Sequence, residues 1–381
     1  MLKVAILGAS GFVGSRLVEM FHLGELADIR PVVRSYSSAA RLSRFKLDWQ
    51  IADARDQAAL TKAFHGCDMI IHCVSGDAPI IVNSVKPAYQ AAQAAGVKRM
   101  IYLSSAVVHG QAPAVGTDET GALKRRQVIP YNNAKVIAEQ SLLRLRRKGK
   151  VEVVILRPGV VYGPRSTRWI TAIADDILRG SAYLINDGLG ICNSIYVDNL
   201  VHAIYLSLLA DGKAVDQQAF LVGDQETVTW LEFYTQLAQA LGVDPITISR
   251  LDMPEFKRTW RDYVQDFRAA TPVQAILPYI PEGFKSIARA KLLSLGHRVA
   301  YPSSFADSSD IVDANLIKDQ PVVPTVSQEM SLLHLSTYKL PHSKAEKLLS
   351  YKPVYSFNQG MQKSIAWLSF AGYPISETAN S

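Results

Sequence analysis

The chain has 381 residues, 48% apolar and 20% charged, with a net charge of +7. This is the composition of a soluble globular protein with a large core, and the length calls for a main domain plus a smaller second lobe. No run approaches the ~18 apolar residues of a membrane-spanning helix, and Cys67, Cys73 and Cys192 show neither metal-site spacing nor a disulfide framework, as in a reducing compartment.

The basic residues are spread along the chain. Their densest cluster, Arg144, Arg146, Arg147, Lys148 and Lys150, lies near a predicted helix end, where the dipole favours cations. No nucleic-acid-binding motif accompanies it. The opening MLKVAILGASG is apolar for only a few residues before it turns glycine-rich, so it reads as a strand and not as a signal peptide. The expectation is a cytoplasmic protein with no metal, no nucleic-acid partner and no integral membrane segment.

In chain order, Leu2–Leu7 reads as a strand buried on both faces, Phe12–Leu23 as a helix, Ile29–Arg34 as a second strand and Leu47–Ile51 as a third, weaker one. Met69–Val74 is a fourth strand. Ile80–Ala95 is a helix closed by Gly96, and Arg99–Ser104 is a fifth strand. Tyr131–Arg147 is a helix and Val151–Leu156 a sixth strand. The alternation predicts an α/β fold built on a doubly wound parallel sheet. Further on, Ser194–Val197 and Ala219–Val222 read as strands, with the helix Asp198–Leu209 between them. Residues 1–165, joined by 190–223, form the sheet domain. Residues 166–189 and 224–381 form a smaller, mostly helical C-terminal substrate lobe. From Pro245 to Pro341 the pattern is hard to read. That stretch includes Trp260, Tyr263, Phe267 and Tyr279, and Ser308–Val326 has the Asp, Pro and Ser content of a mobile loop.

The segment VAILGASGFVGSRLVE sets Gly8, Gly11 and Gly14 between a strand and a helix. Gly8 permits a tight turn, Gly11 lets the backbone approach a pyrophosphate, and Gly14 allows close helix–sheet packing. The helix N-terminus then offers N–H groups and a positive dipole end to phosphates. A strand before and a helix after make this the dinucleotide-binding, Rossmann context. A purely structural tight turn is the alternative. The second strand ends in Arg34 and Ser35 with no carboxylate for a ribose. An Arg there suits a 2′-phosphate, which favours NADP over NAD; an exposed Arg with another cofactor contact elsewhere is the alternative. Asp53 is placed to meet the adenine edge or simply to cap a helix. The net positive charge suits an acidic ligand of this kind.

IPYNNAKVIAEQ places Tyr131 and Lys135 four apart, on one helix face. A nearby ammonium favours the phenolate and makes the pair usable for general acid–base work. Ser105 stands at the carboxyl end of the fifth strand, where doubly wound sheets bind ligands, and can hydrogen-bond a substrate oxygen.

GASGFVG, SSAVVHG, YNNAK, LRPGVVYGP, NSIYVDNLVHAI and KAEKLLSYKPVYSFNQGMQKSIAWL together resemble the extended branch of the short-chain dehydrogenase/reductase family, also called the NAD-dependent epimerase/dehydratase family. The likeness covers most of the chain except roughly residues 245–335. It implies Ser105, Tyr131 and Lys135 as a catalytic triad. Around the dinucleotide it implies Gly8, Ser10, Gly11, Phe12, Val13, Gly14, Arg34, Ser35, Asp53, Asn83, Lys135 and Pro158. Asn83 otherwise reads as a buried structural amide. A homodimer through the helices around the Tyr-Lys segment is implied by the resemblance alone.

Several departures bear on the subfamily. His109 stands where a Tyr is common. Val160 replaces an Asn frequent in sugar-nucleotide epimerases, and Cys192 replaces their diphosphate-holding Arg. Ala106 and Val107 follow Ser105 where the sugar dehydratases carry Asp-Glu. YVDNLVHAI and LRPGVVYGP are more similar to the 3β-hydroxysteroid dehydrogenase and dihydroflavonol reductase-like group. The resemblance thus implies an NAD(P)-dependent oxidoreductase acting on a ketone or secondary alcohol. Its alternatives are a nucleotide-sugar epimerase using the same triad and a non-catalytic dinucleotide-binding sensor.

Overall fold

The computed structural model describes residues 1–256 and 324–376. Its centre is a seven-stranded sheet in which every pairing is parallel. The strands in chain order are β1 (Lys3–Leu7), β2 (Asp28–Val33), β3 (Gln50–Ile51), β4 (Met69–His72), β5 (Arg99–Leu103) and β6 (Glu152–Pro158). They are followed by β7 (Val160–Tyr162), β8 (Tyr183–Ile185), β9 (Ile191–Cys192), β10 (Ser194–Tyr196) and β11 (Gln218–Val222). Across the sheet the order is β11-β6-β5-β4-β1-β2-β3. The order reverses between β1 and β4, and a doubly wound sheet opens its ligand crevice at such a point.

Alternate side chains of β1 feed two cores, as the two-residue period of a strand requires. Val4 and Ile6 pack with Leu17, Val18 and Phe21 of the helix Phe12–Leu23 and with Leu200 and Ile204 of the helix Val197–Leu209. Ala5 and Leu7 face the other layer. There they join Val85 and Tyr89 of the helix Ala78–Ala94 and Ala138 and Leu142 of the helix Pro130–Lys148. Apolar groups on both faces are the reason these strands read as continuous hydrophobic runs.

The expected boundaries shift in places. The third strand shrinks from Leu47–Ile51 to β3, because the Trp49 amide turns back to the Leu47 carbonyl at 3.0 Å and the Asp48 carboxylate accepts from Arg30 at 2.7 Å. The sixth strand runs past Leu156 to Pro158, because β11 pairs with it as far as Val222. A helix absent from the sequence reading, Gln57–Phe64, starts at Asp56, whose carboxylate accepts from the Ala58 and Ala59 amides at 3.0 Å each. At the basic cluster, Arg146 is anchored to Asp216 by its Nε and Nη2 (2.8–3.1 Å) and is not merely solvated.

Beyond β7 the described chain is mostly short strands and helices. β10 pairs β7 in parallel. The helices Trp230–Ala240 and Phe357–Phe370 share an apolar cluster that includes Tyr162, Trp230, Phe233, Phe357 and Met361. Trp260, Tyr263, Phe267 and Tyr279, and the anticipated loop Ser308–Val326 except its last three residues, lie outside the described residues.

Candidate active site

The turn after β1 is shaped for close approach. Gly8 has φ +88°, and a Cβ there would stand 3.1 Å from the backbone of Cys73 and Val74 at the end of β4. A Cβ on Gly14 would stand 2.9 Å from the Ala9 Cα. Gly11, exposed and at the helix N-cap, has no side chain to cap the first turn. The amides of Phe12, Val13 and Gly14 are therefore presented at a dipole end that suits an anion. A dinucleotide pyrophosphate fits this cradle.

The expected adenosine end is partly engaged by the protein itself. Arg34 is exposed just past β2. The Ser35 hydroxyl caps the short helix Tyr36–Ala39, accepting from the Ser38 amide at 3.4 Å. Asp53 is gripped by Arg55 through the amide (2.8 Å), Nε (2.9 Å) and Nη2 (2.7 Å). That Arg55 bond, reinforced by the charge of Arg34, pulls its carboxyl down to about 2. Arg34 and Asp53, past the carboxyl ends of β2 and β3, thus lie near enough for their charges to interact. Asn83 is exposed on its helix, which corrects the reading of it as a buried amide.

The proton-transfer candidates converge. Ser105 is buried just past β5; its hydroxyl donates to the Pro158 carbonyl at 3.4 Å and accepts from the Val107 amide at 3.4 Å. Pro130 occupies the first turn of its helix, where its missing N–H costs nothing. The phenol of the next residue, Tyr131, lies near enough to Ser105 for that hydroxyl to draw it slightly down. Lys135 is buried one turn on. It donates to the Leu103 carbonyl at 2.7 Å, and its ammonium lies 5.7 Å from the centre of the Tyr131 ring and 5.3 Å from that of Tyr102.

The electrostatics differ from the sequence expectation. Burial pushes the Tyr131 phenol up to about 12, against smaller opposing effects from Arg168 and Ser105. Lys135 does not depress it, because the ammonium is turned to the Leu103 carbonyl and meets the face of the phenol ring. Burial brings Lys135 itself down to about 8, opposed by the charge of Glu139. At neutral pH the phenol is therefore a proton donor.

Behind this pair lies a buried network that spacing did not reveal. Glu139, fully buried one turn beyond Lys135, accepts from Arg157 Nε at 3.0 Å and Nη2 at 2.7 Å. Arg157 Nη1 donates to the Glu119 carbonyl at 3.1 Å and stands 3.1 Å from His109 Nε2. Burial, then the guanidinium, brings His109 down to about 4, so the ring is neutral and its Nε2 accepts. His72 pairs with Tyr102 across β4 and β5. Burial, with the charge of Lys135, brings its imidazole down to about 3. Arg157, His109 and Glu139 fell within quoted segments, but none was given a part in such a network. Glu139 carried one faint signal, its four-residue spacing from Lys135.

No helix among the described residues is long and apolar enough to cross a membrane. The chain is similar over its full length to known proteins. It is 23% identical over 391 residues to a sterol-4-alpha-carboxylate 3-dehydrogenase, decarboxylating, from Candida albicans, covering 96% of this chain and 97% of that one. It is 26% identical over 262 residues to a 2-alkyl-3-oxoalkanoate reductase from Stenotrophomonas maltophilia, covering 63% and 76%. Its fold matches that of a dTDP-glucose 4,6-dehydratase from Streptomyces venezuelae solved with NAD bound, with TM-score 0.67, 18% identity and 97% of each chain covered. The sequence pattern of the NAD dependent epimerase/dehydratase family matches residues 4–223. That span is more than half of the chain and contains the glycine turn, Ser105, Tyr131 and Lys135. The chain therefore belongs to the NAD dependent epimerase/dehydratase family and is an NAD(P)-dependent enzyme of oxidoreductase type.

Proposed function

We propose that the protein moves a hydride between NADP and a ketone or secondary alcohol, with Ser105, Tyr131 and Lys135 as the acting side chains. The carrying observation is the convergence of Ser105, Tyr131 and Lys135 past the carboxyl end of β5, with Ser105 near enough to act on the Tyr131 phenol and the Lys135 ammonium over its ring. Gly8, Ser10, Gly11, Phe12, Val13 and Gly14 would hold the pyrophosphate. Arg34 and Ser35 would meet a ribose 2′-phosphate, and Asp53 and Asn83 would line the adenine side and the crevice. Pro158 and Lys135 would contact the nicotinamide ribose. When bound, the cofactor supplies or takes up the hydride.

The chain's own residues then handle the proton. Ser105 donates to the carbonyl oxygen and fixes it beside Tyr131. As the carbonyl carbon gains a hydride, the phenol gives its proton to the oxygen, and the alcohol leaves behind a phenolate that solvent reprotonates. Lys135, anchored to the Leu103 carbonyl at 2.7 Å, would hold the nicotinamide ribose beside the phenol. Alcohol oxidation runs the same steps in reverse, with the phenolate as base.

The names of both curated relatives denote hydride chemistry at a secondary alcohol or ketone, which supports this reading. Hydride return within a nucleotide sugar would use the same triad. Against it, Cys192 is buried and its thiol is pushed up by burial, so that position offers no charge to a diphosphate. The test is net oxidation of NADPH and NADH against a panel of ketosteroids and flavonoid-like ketones. Net consumption lost in Tyr131→Phe supports the reductase. Tight dinucleotide binding with no net consumption favours the epimerase.

A further inference from the structure

Tyr131 sits in the first turn of its helix, and that turn lacks the usual cap. The N-cap residue is Ile129, which has no side-chain acceptor, and Pro130 brings no amide. Helix ends without a cap hold their first turn weakly. Here the two residues after Tyr131 tie the turn to Gln127 instead. Asn133 brackets the Gln127 backbone: its Oδ1 accepts from the Gln127 amide at 2.8 Å, and its Nδ2 donates to the Gln127 carbonyl at 2.6 Å. Asn132 is fully buried, and its Nδ2 donates to Gln127 Oε1 at 2.9 Å. The Asn132 Oδ1 has no hydrogen bond among the described residues, so Gln127 is the one partner that its side-chain amide has there.

The same Gln127 side chain grips the turn that follows Ser105. Its Nε2 donates to the Val107 carbonyl at 2.9 Å and to the Lys124 carbonyl at 3.0 Å. The Val107 amide in turn donates to the Ser105 hydroxyl at 3.4 Å, which caps the short turn Ala106–His109. One amide group thus reaches from Val107, two residues past Ser105, to Asn132, the residue after Tyr131. Its orientation is specified, since turning it over would set Oε1 against two carbonyls and Nε2 against the Asn132 donor.

The neighbours of Gln127 in the chain give it no such anchorage. Lys124, Arg125, Arg126 and Val128 are exposed, while Gln127 is partly buried between them. Arg126 has φ +64°, a left-handed conformation that residues with a side chain rarely adopt. Such a conformation persists where the surroundings enforce it, and the five hydrogen bonds of Gln127 do so here.

On the hydride-transfer reading above, we infer that Gln127 is a positioning residue, whose side-chain amide holds the Ser105 hydroxyl and the Tyr131 phenol at the spacing that proton transfer requires. Without that bridge the turn after Ser105 and the uncapped helix end move independently. A misplacement of about 1 Å can cost about 10²-fold in rate while binding is kept.

The test uses the full chain with 3,5-difluorotyrosine in place of Tyr131. Fluorine brings the phenol's ionisation into the pH range of a folded protein, and ¹⁹F NMR reads it without any substrate. Ser105→Ala removes a donor to the phenolate and lowers the acid constant about 10-fold, the worth of one hydrogen bond to a charged group. Gln127→Met keeps the length of the side chain and the backbone bonds to Asn133. It lowers the acid constant about 3-fold and leaves about 3-fold for Ser105→Ala to add, because the two residues act on one contact. Asn132→Ala cuts the bridge from the helix side and acts in the same direction. With Tyr131 itself present, Gln127→Met lowers kcat for a ketone about 10-fold or more, with KM and dinucleotide affinity near wild type. An acid constant that does not fall in Gln127→Met, or a Ser105→Ala effect of equal size with and without Gln127, overturns the assignment. The two readings fail separately. Ketone reduction by wild type with the acid constant unmoved in Gln127→Met defeats the role of Gln127 alone. A fall in the acid constant with no ketone reduced by wild type supports Gln127 and defeats hydride transfer to a ketone.

Discussion

Arg157 closes on Glu139 with two hydrogen bonds, at 3.0 and 2.7 Å, and both side chains are buried beneath the helix that carries Tyr131 and Lys135. The pair ties the end of β6 to that helix and so fixes Pro158 and Ser105 relative to the phenol. Removing one member leaves the other as an unpaired buried charge. Arg157→Met should cost about 3–5 kcal/mol in urea unfolding, while Arg157→Met with Glu139→Met should recover most of it. A single-variant loss below about 1 kcal/mol would show that the pair contributes no more than a surface contact.

The glycines of the turn separate folding from binding. Gly14→Ala forces a methyl to 2.9 Å from the Ala9 Cα and should destabilise the protein by about 1–3 kcal/mol. Gly11→Ala meets only an ordinary 3.4 Å contact with the Gly8 carbonyl. Its melting temperature should stay near wild type while dinucleotide affinity falls, as fluorescence titration would show. Equal loss of stability in both variants would contradict the packing argument.

Arg34→Ala should weaken NADP binding about 10- to 100-fold, the range for a hydrogen bond between charged groups, and leave NAD binding nearly unchanged. A parallel loss for both dinucleotides would remove the 2′-phosphate from the account.

The burial of Lys135 predicts a pH dependence of stability. Its folded value of about 8 lies below the ordinary 10.5, so between these values the unfolded chain binds more protons than the folded one. Stability from this group therefore rises as pH increases from about 8 towards 10.5. Lys135→Met lacks that rise. The difference between the two melting temperatures should shift in favour of wild type from pH 7 to pH 10. A constant difference would mean that Lys135 titrates at its ordinary value in the folded protein.

The sheet was legible because burial on both faces leaves uninterrupted apolar runs, and the glycine turn because its geometry tolerates few substitutes. Tyr131 and Lys135 were legible from helical spacing. Side-chain chemistry that depends on distant partners was not. Arg157 reaches Glu139 from 18 residues away. The direction of the Tyr131 shift was misjudged for a related reason. Spacing places an ammonium near a phenol, but only the fold shows that the ammonium turns to Leu103 and that burial outweighs it. Strand β3 fell short because the Trp49 amide turns back to the Leu47 carbonyl in place of a ladder bond.

The most direct test follows the label from [4-²H]NADPH into product, with wild type and Tyr131→Phe compared. Hydride transfer to a ketone predicts one deuterium at the new carbinol carbon for each NADPH consumed. Tyr131→Phe should slow both by about 10²- to 10⁴-fold, the usual worth of a positioned acid, with dinucleotide binding retained. A product free of label, formed without NADPH consumption, would contradict the account and point to internal return of the hydride.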